Sequence, residues 1–221
     1  MKKISMLFAG LIAATALQAA PVYDNTTTDT FDTVFFSANS LTEIGDQIHL
    51  AGTERIGNTA KVQFYNFGLE GIFNATLNLY SVVANSPNVG ALLQSFASLN
   101  NAIGGNSTSE VVWSLGGLAL LDDMVFTVTI DRFSSNVDLG LTVFDPPTVG
   151  SSDNSFLIVK DTNGFVHGTI GNTHDNVYFL LDASDPNAIP EPGTSSAVML
   201  AMLSLFAVRA RRKGFTAIAP L

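Results

Sequence analysis

The chain has 221 residues, of which 47% are hydrophobic and 13% charged, and its formal net charge is −9. Between Ala20 and Ile189 lie four basic and eighteen acidic residues, a net charge of −14, which argues against a nucleic-acid-binding protein because such proteins present a basic face. The chain contains no cysteine, which excludes disulfides, thiolate catalysis and cysteine-ligated metal centres. The central segment is long enough for one domain with a complete core.

The N-terminus has the three parts of a secretory signal peptide. Lys2 and Lys3 precede an apolar run from Leu7 to Leu17, and small residues follow at Ala19 and Ala20. The run is too short to span a bilayer, which needs roughly 20 residues. We therefore predict a signal peptide over residues 1–19, removed by signal peptidase.

The C-terminus also has three parts in a fixed order. Two prolines separated by one residue hold the backbone extended, because neither fits a helix interior or a central strand. An apolar stretch follows, Ala197–Val208, which is short for a permanent membrane anchor. A basic cluster comes last and stays on the cytoplasmic side under the positive-inside rule. The predicted sorting motif is Pro190, Glu191 and Pro192, and the residues that orient the segment are Arg209, Arg211, Arg212 and Lys213.

This order resembles the PEP-CTERM sorting signal of Gram-negative bacteria. The resemblance implies that exosortase, a membrane-embedded cysteine transpeptidase, cuts near Pro190–Pro192 and that the protein passes to the cell surface or the extracellular matrix. We assign residues 187–213 to the signal. Members of the group usually end soon after the basic cluster, whereas residues 214–221 follow here as an extra cytoplasmic tail. The alternative is a plain C-terminal membrane anchor that is never cleaved.

The middle of the chain alternates with a period of two, which is typical of strands with one face on a core. In Phe73–Tyr80 the apolar Phe73, Ala75, Leu77 and Leu79 share one side. Further strands are predicted around Val62 and Phe64 and at 113, 124–130, 139–143, 155–159, 165–170 and 177–181, with polar or proline-containing turns between them.

These features predict an all-β fold, a β-sandwich over residues 31–186 that follows a flexible, threonine-rich leader at 20–30. Gly45–Arg55 and Phe144–Ser151 resemble strand and turn regions of sandwich proteins that often carry this C-terminal signal, and the resemblance implies a jelly-roll-like sandwich. One exception is Ala91–Ile103, where Leu92, Phe96, Leu99 and Ile103 recur at three or four residues. That spacing predicts a short helix over one end of the sandwich, ended by Gly104 and Gly105. A hydrophobic sorting helix is expected at the C-terminus.

No catalytic residues can be assigned from the sequence. Asp122 and Asp123 are neighbours, and neighbours on a strand point to opposite faces. His49, His167 and His174 lack metal-ligand spacing, so we predict no metal site and no cofactor. The one alternative is a structural calcium ion, for which Asp161–Gly164 and Asp182–Asp185 supply oxygen atoms without completing a known loop.

The leading hypothesis is therefore an exported, non-catalytic β-sandwich, anchored transiently at the inner membrane and then structural or adhesive in the extracellular matrix. Its expected partners are signal peptidase, exosortase, the inner membrane and extracellular polysaccharide. A second hypothesis is a calcium-assisted carbohydrate-binding module, supported only by Phe35 and Phe36, since adjacent rings on a strand face opposite sides and one of the two is exposed. A third is a surface hydrolase whose triad is assembled in space.

Overall fold

The computed structural model describes residues 19–36, 41–84, 88–132, 134–152, 157–168 and 176–186. Within these ranges the chain forms fourteen β-strands and no helix. Their bounds are β1 Ala20–Asn25, β2 Asp29–Phe35, β3 Glu43–His49, β4 Ile56–Asn66, β5 Gly71–Val82, β6 Val89–Ile103, β7 Ser107–Ala119, β8 Asp123–Arg132, β9 Leu139–Phe144, β10 Ser151–Ser152, β11 Leu157–Asp161, β12 Gly164–Gly168, β13 Asn176–Val177 and β14 Phe179–Ser184.

The strands form two antiparallel sheets of seven strands each. In sheet A, β4 pairs with β7 along one edge and with β14 and then β9 along the other. Strands β1 and β2 lie outside β14 and β9, and β13 pairs with β9. In sheet B the order is β12-β11-β3-β8-β5-β6, with β10 on the same edge of β3 as β11. The two sheets pack as a β-sandwich, as predicted.

The core lies between the sheets and is built by alternate residues of each strand. Phe73, Ala75, Leu77 and Leu79 of β5 are all buried, which confirms the face predicted from their alternation. Trp113 of β7 is buried as well. The sheets meet through aromatic contacts, of which the closest is the stack of Phe126 on Phe179.

The helix predicted at Ala91–Ile103 is wrong, because these residues belong to strand β6. The pairing of β5 with β6 shifts register three times, and each shift places an extra residue in β6. A bulge of this kind breaks the period of two, so apolar residues recur at three or four without forming a helical face. Leu92 and Leu99 are exposed, whereas Ile103 is buried. Gly104 and Gly105 lead into the turn before β7.

The flexible leader predicted at residues 20–30 is also wrong. Ala20–Asn25 forms β1, which pairs with β14. Val22 and Tyr23 are fully buried in the core, so the start of the sandwich lies ahead of the predicted boundary. The prediction rested on the threonine-rich run at 26–30, but Thr26, Thr27 and Thr28 only connect β1 to β2, whereas the apolar Val22 and Tyr23 before them enter the core.

The predicted end segments lie outside the described residues. These are residues 1–18 of the signal peptide and all of residues 187–221, with the motif Pro190–Pro192, the hydrophobic sorting helix, the basic cluster and the tail. The described strands belong to a compact unit that ends at Pro186. Across the described ranges, no helix is long and apolar enough to cross a membrane.

Substitution of Gly45 tests the close contact of β3 with β8. A Cβ atom at this position would lie 1.8 Å from the carbonyl oxygen of Phe126, so one strand must shift. We expect Gly45→Ala to lower the free energy of unfolding by about 2–3 kcal/mol, measured by denaturant titration. The matched control is Gly104→Ala, where the added atom meets only the Ser107 side chain. Equal stability losses in the two variants would contradict this packing.

Candidate functional site

The outer face of sheet A carries a row of residues that spans four strands. Phe35 of β2 is opposite Gly140 of β9, which is opposite Tyr65 of β4, which is opposite Thr108 of β7. Directly opposed residues of antiparallel strands share a face. The rings of Phe35 and Tyr65 therefore approach each other above Gly140, with centroids 6.5 Å apart and planes at 74°.

The glycine in this row is required by the close approach of β2 to β9. A Cβ atom on Gly140 would lie 2.5 Å from the methyl group of Thr33 and 2.6 Å from the carbonyl oxygen of Val34. Any larger residue would push β2 away from the sheet. Gly140 thus allows β2 to lie close to β9, which brings the ring of Phe35 near that of Tyr65.

Two further rings project into solvent at this face. Phe67 is 64% exposed, and its ring centroid lies 6.3 Å from that of Phe35. Phe31 is 90% exposed and has a φ of 63°, a conformation that non-glycine residues seldom adopt. Its N–H donates a hydrogen bond of 2.7 Å to Oδ1 of Asp29. Phe31 lies between Asp29 and Asp32, where the pairing of β2 with β9 shifts register, and strained backbone of this kind is often found at binding sites.

These side chains enclose an open groove of about 540 Å³, which we call the aromatic groove. It combines ring faces with hydroxyl and carboxylate groups and has no basic residue in its lining. Its lining residues are Asp29, Phe31, Asp32, Thr33, Phe35, Tyr65, Phe67, Thr108 and Thr142. A few polar groups on aromatic walls are the usual composition of a small-molecule or glycan site.

A hydrogen-bonded ion cluster lies further along the same face. The hydroxyl of Tyr178 donates to Oε1 of Glu110, and Nζ of Lys61 lies 3.1 Å from the same oxygen. The hydrogen bond from Tyr178, reinforced by Lys61, lowers the pKa of Glu110. Burial, followed by the hydrogen bond to Glu110, raises the pKa of Tyr178. Since Lys61 and Tyr178 both donate hydrogen bonds to Glu110, this cluster stabilises the sheet. The aromatic groove is the better candidate for ligand binding.

A buried carboxylate, that of Glu43, links the strands of sheet B through hydrogen bonds. Glu43 accepts hydrogen bonds from Nζ of Lys160 at 2.7 Å, Oγ1 of Thr127 at 2.6 Å and the hydroxyl of Tyr80 at 3.0 Å. Burial, together with the charge of Glu43, raises the pKa of Tyr80 to about 12. Four strands are tied together in this way, and the carboxylate is occupied by protein donors.

Three residue types of a hydrolase triad do lie in one row of sheet B. Ser151 is opposite His49, which is opposite Asp123, and Nδ1 of His49 contacts Oδ1 of Asp123. Among the described residues, however, no hydrogen bond joins Ser151 to His49. The His49 and Asp123 side chains are 40% and 55% exposed. This row thus lacks the enclosed, water-poor surroundings in which such groups become reactive.

The loops considered for calcium use their carboxylates internally. Oδ1 of Asp161 accepts the N–H of Asn163 at 2.7 Å, which closes the turn between β11 and β12. Oδ2 of Asp182 accepts the hydroxyl of Thr59 at 2.9 Å. The part of the chain that the structure describes contains no group of three or more acidic, histidine or cysteine residues placed to hold a metal ion.

No family model, curated protein or solved structure matches this chain. The chemistry of its lining residues therefore indicates what the aromatic groove binds. The sequence pointed to one of its residues: Phe36 is buried and Phe35 lines the groove, as expected for adjacent rings. Phe31 and Phe67 were missed, although each stands among polar or glycine neighbours, which is unusual for a core residue.

Ultraviolet titration tests the buried phenols. The chain has four tyrosines, and burial raises the pKa of Tyr23, Tyr80 and Tyr178. Because the folded state disfavours these phenolates, it holds their protons after the unfolded chain releases them near pH 10. We expect three tyrosines to ionise later in the native protein than in denaturant, by absorbance at 295 nm.

The same shifts predict a loss of stability at alkaline pH. The stabilisation is complete below pH 10 and is lost as the pH rises toward the folded-state pKa values, about 12 for Tyr80. The Tyr80→Phe variant should lose one late-ionising phenol. Ionisation of Tyr23, Tyr80 and Tyr178 near pH 10 in the native protein would contradict their burial.

Proposed function

We propose that this protein is an exported, non-catalytic β-sandwich of the cell surface or extracellular matrix, where it is structural or adhesive. Its delivery rests on the signal peptide and on the PEP-CTERM-like segment, which would be processed by signal peptidase and exosortase. The finer description of the sandwich as jelly-roll-like belongs to the same proposal. The observation that carries the adhesive role is the aromatic groove, with Phe31 and Phe67 held in solvent.

The groove favours a glycan as the adhesive ligand. The C–H face of a sugar ring packs on an aromatic ring, whose face is electron-rich, while carboxylates and threonine hydroxyls bond to sugar hydroxyls. The lining has two carboxylates, Asp29 and Asp32, and no basic group. The surrounding domain is strongly acidic, so an anionic polymer would be repelled. A neutral polysaccharide therefore fits best, without need of calcium.

Replacing Pro190, Glu191 and Pro192 together by alanine tests the delivery route. We expect the unaltered protein to reach the surface fraction without its basic cluster, and the variant to stay in the inner membrane. Cell fractionation followed by intact mass measures both.

Neutralising the basic cluster, from Arg209 to Lys213, should reduce retention and processing at the inner membrane. A mature wild-type protein that still ends at Leu221 would show a plain anchor instead.

Affinity electrophoresis in neutral polysaccharide gels tests the groove. Phe31→Ala and Phe67→Ala each remove one exposed ring, and we expect each to weaken binding about fivefold, since one stacking contact contributes roughly 1 kcal/mol. The free energy of unfolding should fall by less than about 1 kcal/mol, since both rings are exposed and, among the described residues, only Phe67 contacts another ring, that of Phe35. The control is Val166→Ala, which trims an exposed residue of β12 on the other sheet. Equal retardation of all three variants would exclude the groove as the binding site.

A further inference from the structure

Strand β6 lies at one edge of sheet B. It pairs with β5 along one edge, and no strand of the described chain pairs with its other edge. At 15 residues it is the longest strand in the sandwich. An unpaired edge presents a row of N–H and C=O groups that can accept one more extended chain.

The charge pattern distinguishes β6 from the other edges. From Gly71 to Ser109 the sequence contains no acidic, basic or histidine residue. Among the other described edge strands of five or more residues, β1 carries Asp24, β2 carries Asp29 and Asp32, β7 carries Glu110 and β12 carries His167. Strands β10 and β13 also lack charge, but each has only two residues. Proteins commonly protect exposed edges with charge, and β6 has none.

The bulges of β6 leave one regular stretch. Residues Gln94–Ser98 pair with β5 without a shift in register, which is close to the length of an average strand. Beyond it, the N–H of Asn100 donates to Oδ1 of Asn74 at 2.9 Å and is thus used within the chain. Leu92 and Leu99 flank the stretch and are 53% and 64% exposed.

We propose that β6 pairs antiparallel with β6 of a second copy, about a two-fold axis at Phe96. A two-fold axis sets each residue against its near equivalent, so a charged strand would repel itself and an uncharged one does not. Two domains that each carry a net charge of −14 repel each other. Contact through the uncharged β6 edge keeps their acidic residues apart. The register pairs Ser95 with Ala97 and Gln94 with Ser98. The dimer requires neither glycan binding nor sorting.

Cysteine cross-linking tests this register directly, because the chain has no native cysteine. Opposed residues on antiparallel strands have Cα atoms about 4.5–5.5 Å apart, within the range that a disulfide accepts. We expect full-length Phe96→Cys to form a covalent dimer when a cell lysate is treated with a mild oxidant. The exposed control Leu121→Cys should give at least about fivefold less dimer, and adding Ala97→Lys to Phe96→Cys should abolish it.

A second pair of cysteines covers the case in which loss of the Phe96 ring disturbs the fold. Ser95→Cys with Ala97→Cys places two thiols opposite their partners, whereas each single variant places its thiols on a diagonal. The double variant should dimerise much more than either single variant. Dimerisation of Leu121→Cys to the same extent, or no dimer in either design, would overturn the proposal. Because oxidation is carried out in lysate, failure of export does not affect the result.

Discussion

The whole structure depends on the burial of alternate side chains between two antiparallel sheets. Phe126 of sheet B stacks on Phe179 of sheet A with centroids 3.8 Å apart and planes at 8°, and Phe64 meets Phe73 at 4.9 Å. Large rings bury the most apolar area per residue, so these contacts fix the distance between the sheets. Once one set of side chains is sealed inside, the other set is available on the outside.

The outer faces of the two sheets differ in the side chains that they present to solvent. In sheet B, hydrogen bonds to Glu43 tie four strands together and occupy that carboxylate with protein donors. Sheet A keeps an open groove because Gly140 lets β2 approach and Phe31 and Phe67 remain in solvent. The uncharged edge at β6 adds a third surface. A domain with one open groove and one proposed pairing edge suits the structural or adhesive role proposed above.

The sequence predicted the fold class and most strands because alternation is a local property. The β5 face and the burial of Trp113 followed from it directly. Strand β6 was mistaken for a helix because bulges depend on the partner strand and leave no local signal. The aromatic groove was predictable only at Phe35, since its other residues come together through the register of β2, β9, β4 and β7. That register depends on contacts far apart in the chain.

Hydrogen–deuterium exchange of the full-length protein, with and without neutral extracellular polysaccharide, tests the central claim most directly because it locates the ligand. Glycan binding should slow exchange around the groove, in Asp29–Phe35 and from Tyr65 to Leu69, where backbone amides lie near the lining side chains. Exchange in β3 and β11 of sheet B should stay the same, because neither strand contributes to the lining of the groove. Protection confined to sheet B, or no protection under conditions that saturate binding, would contradict the proposed glycan site.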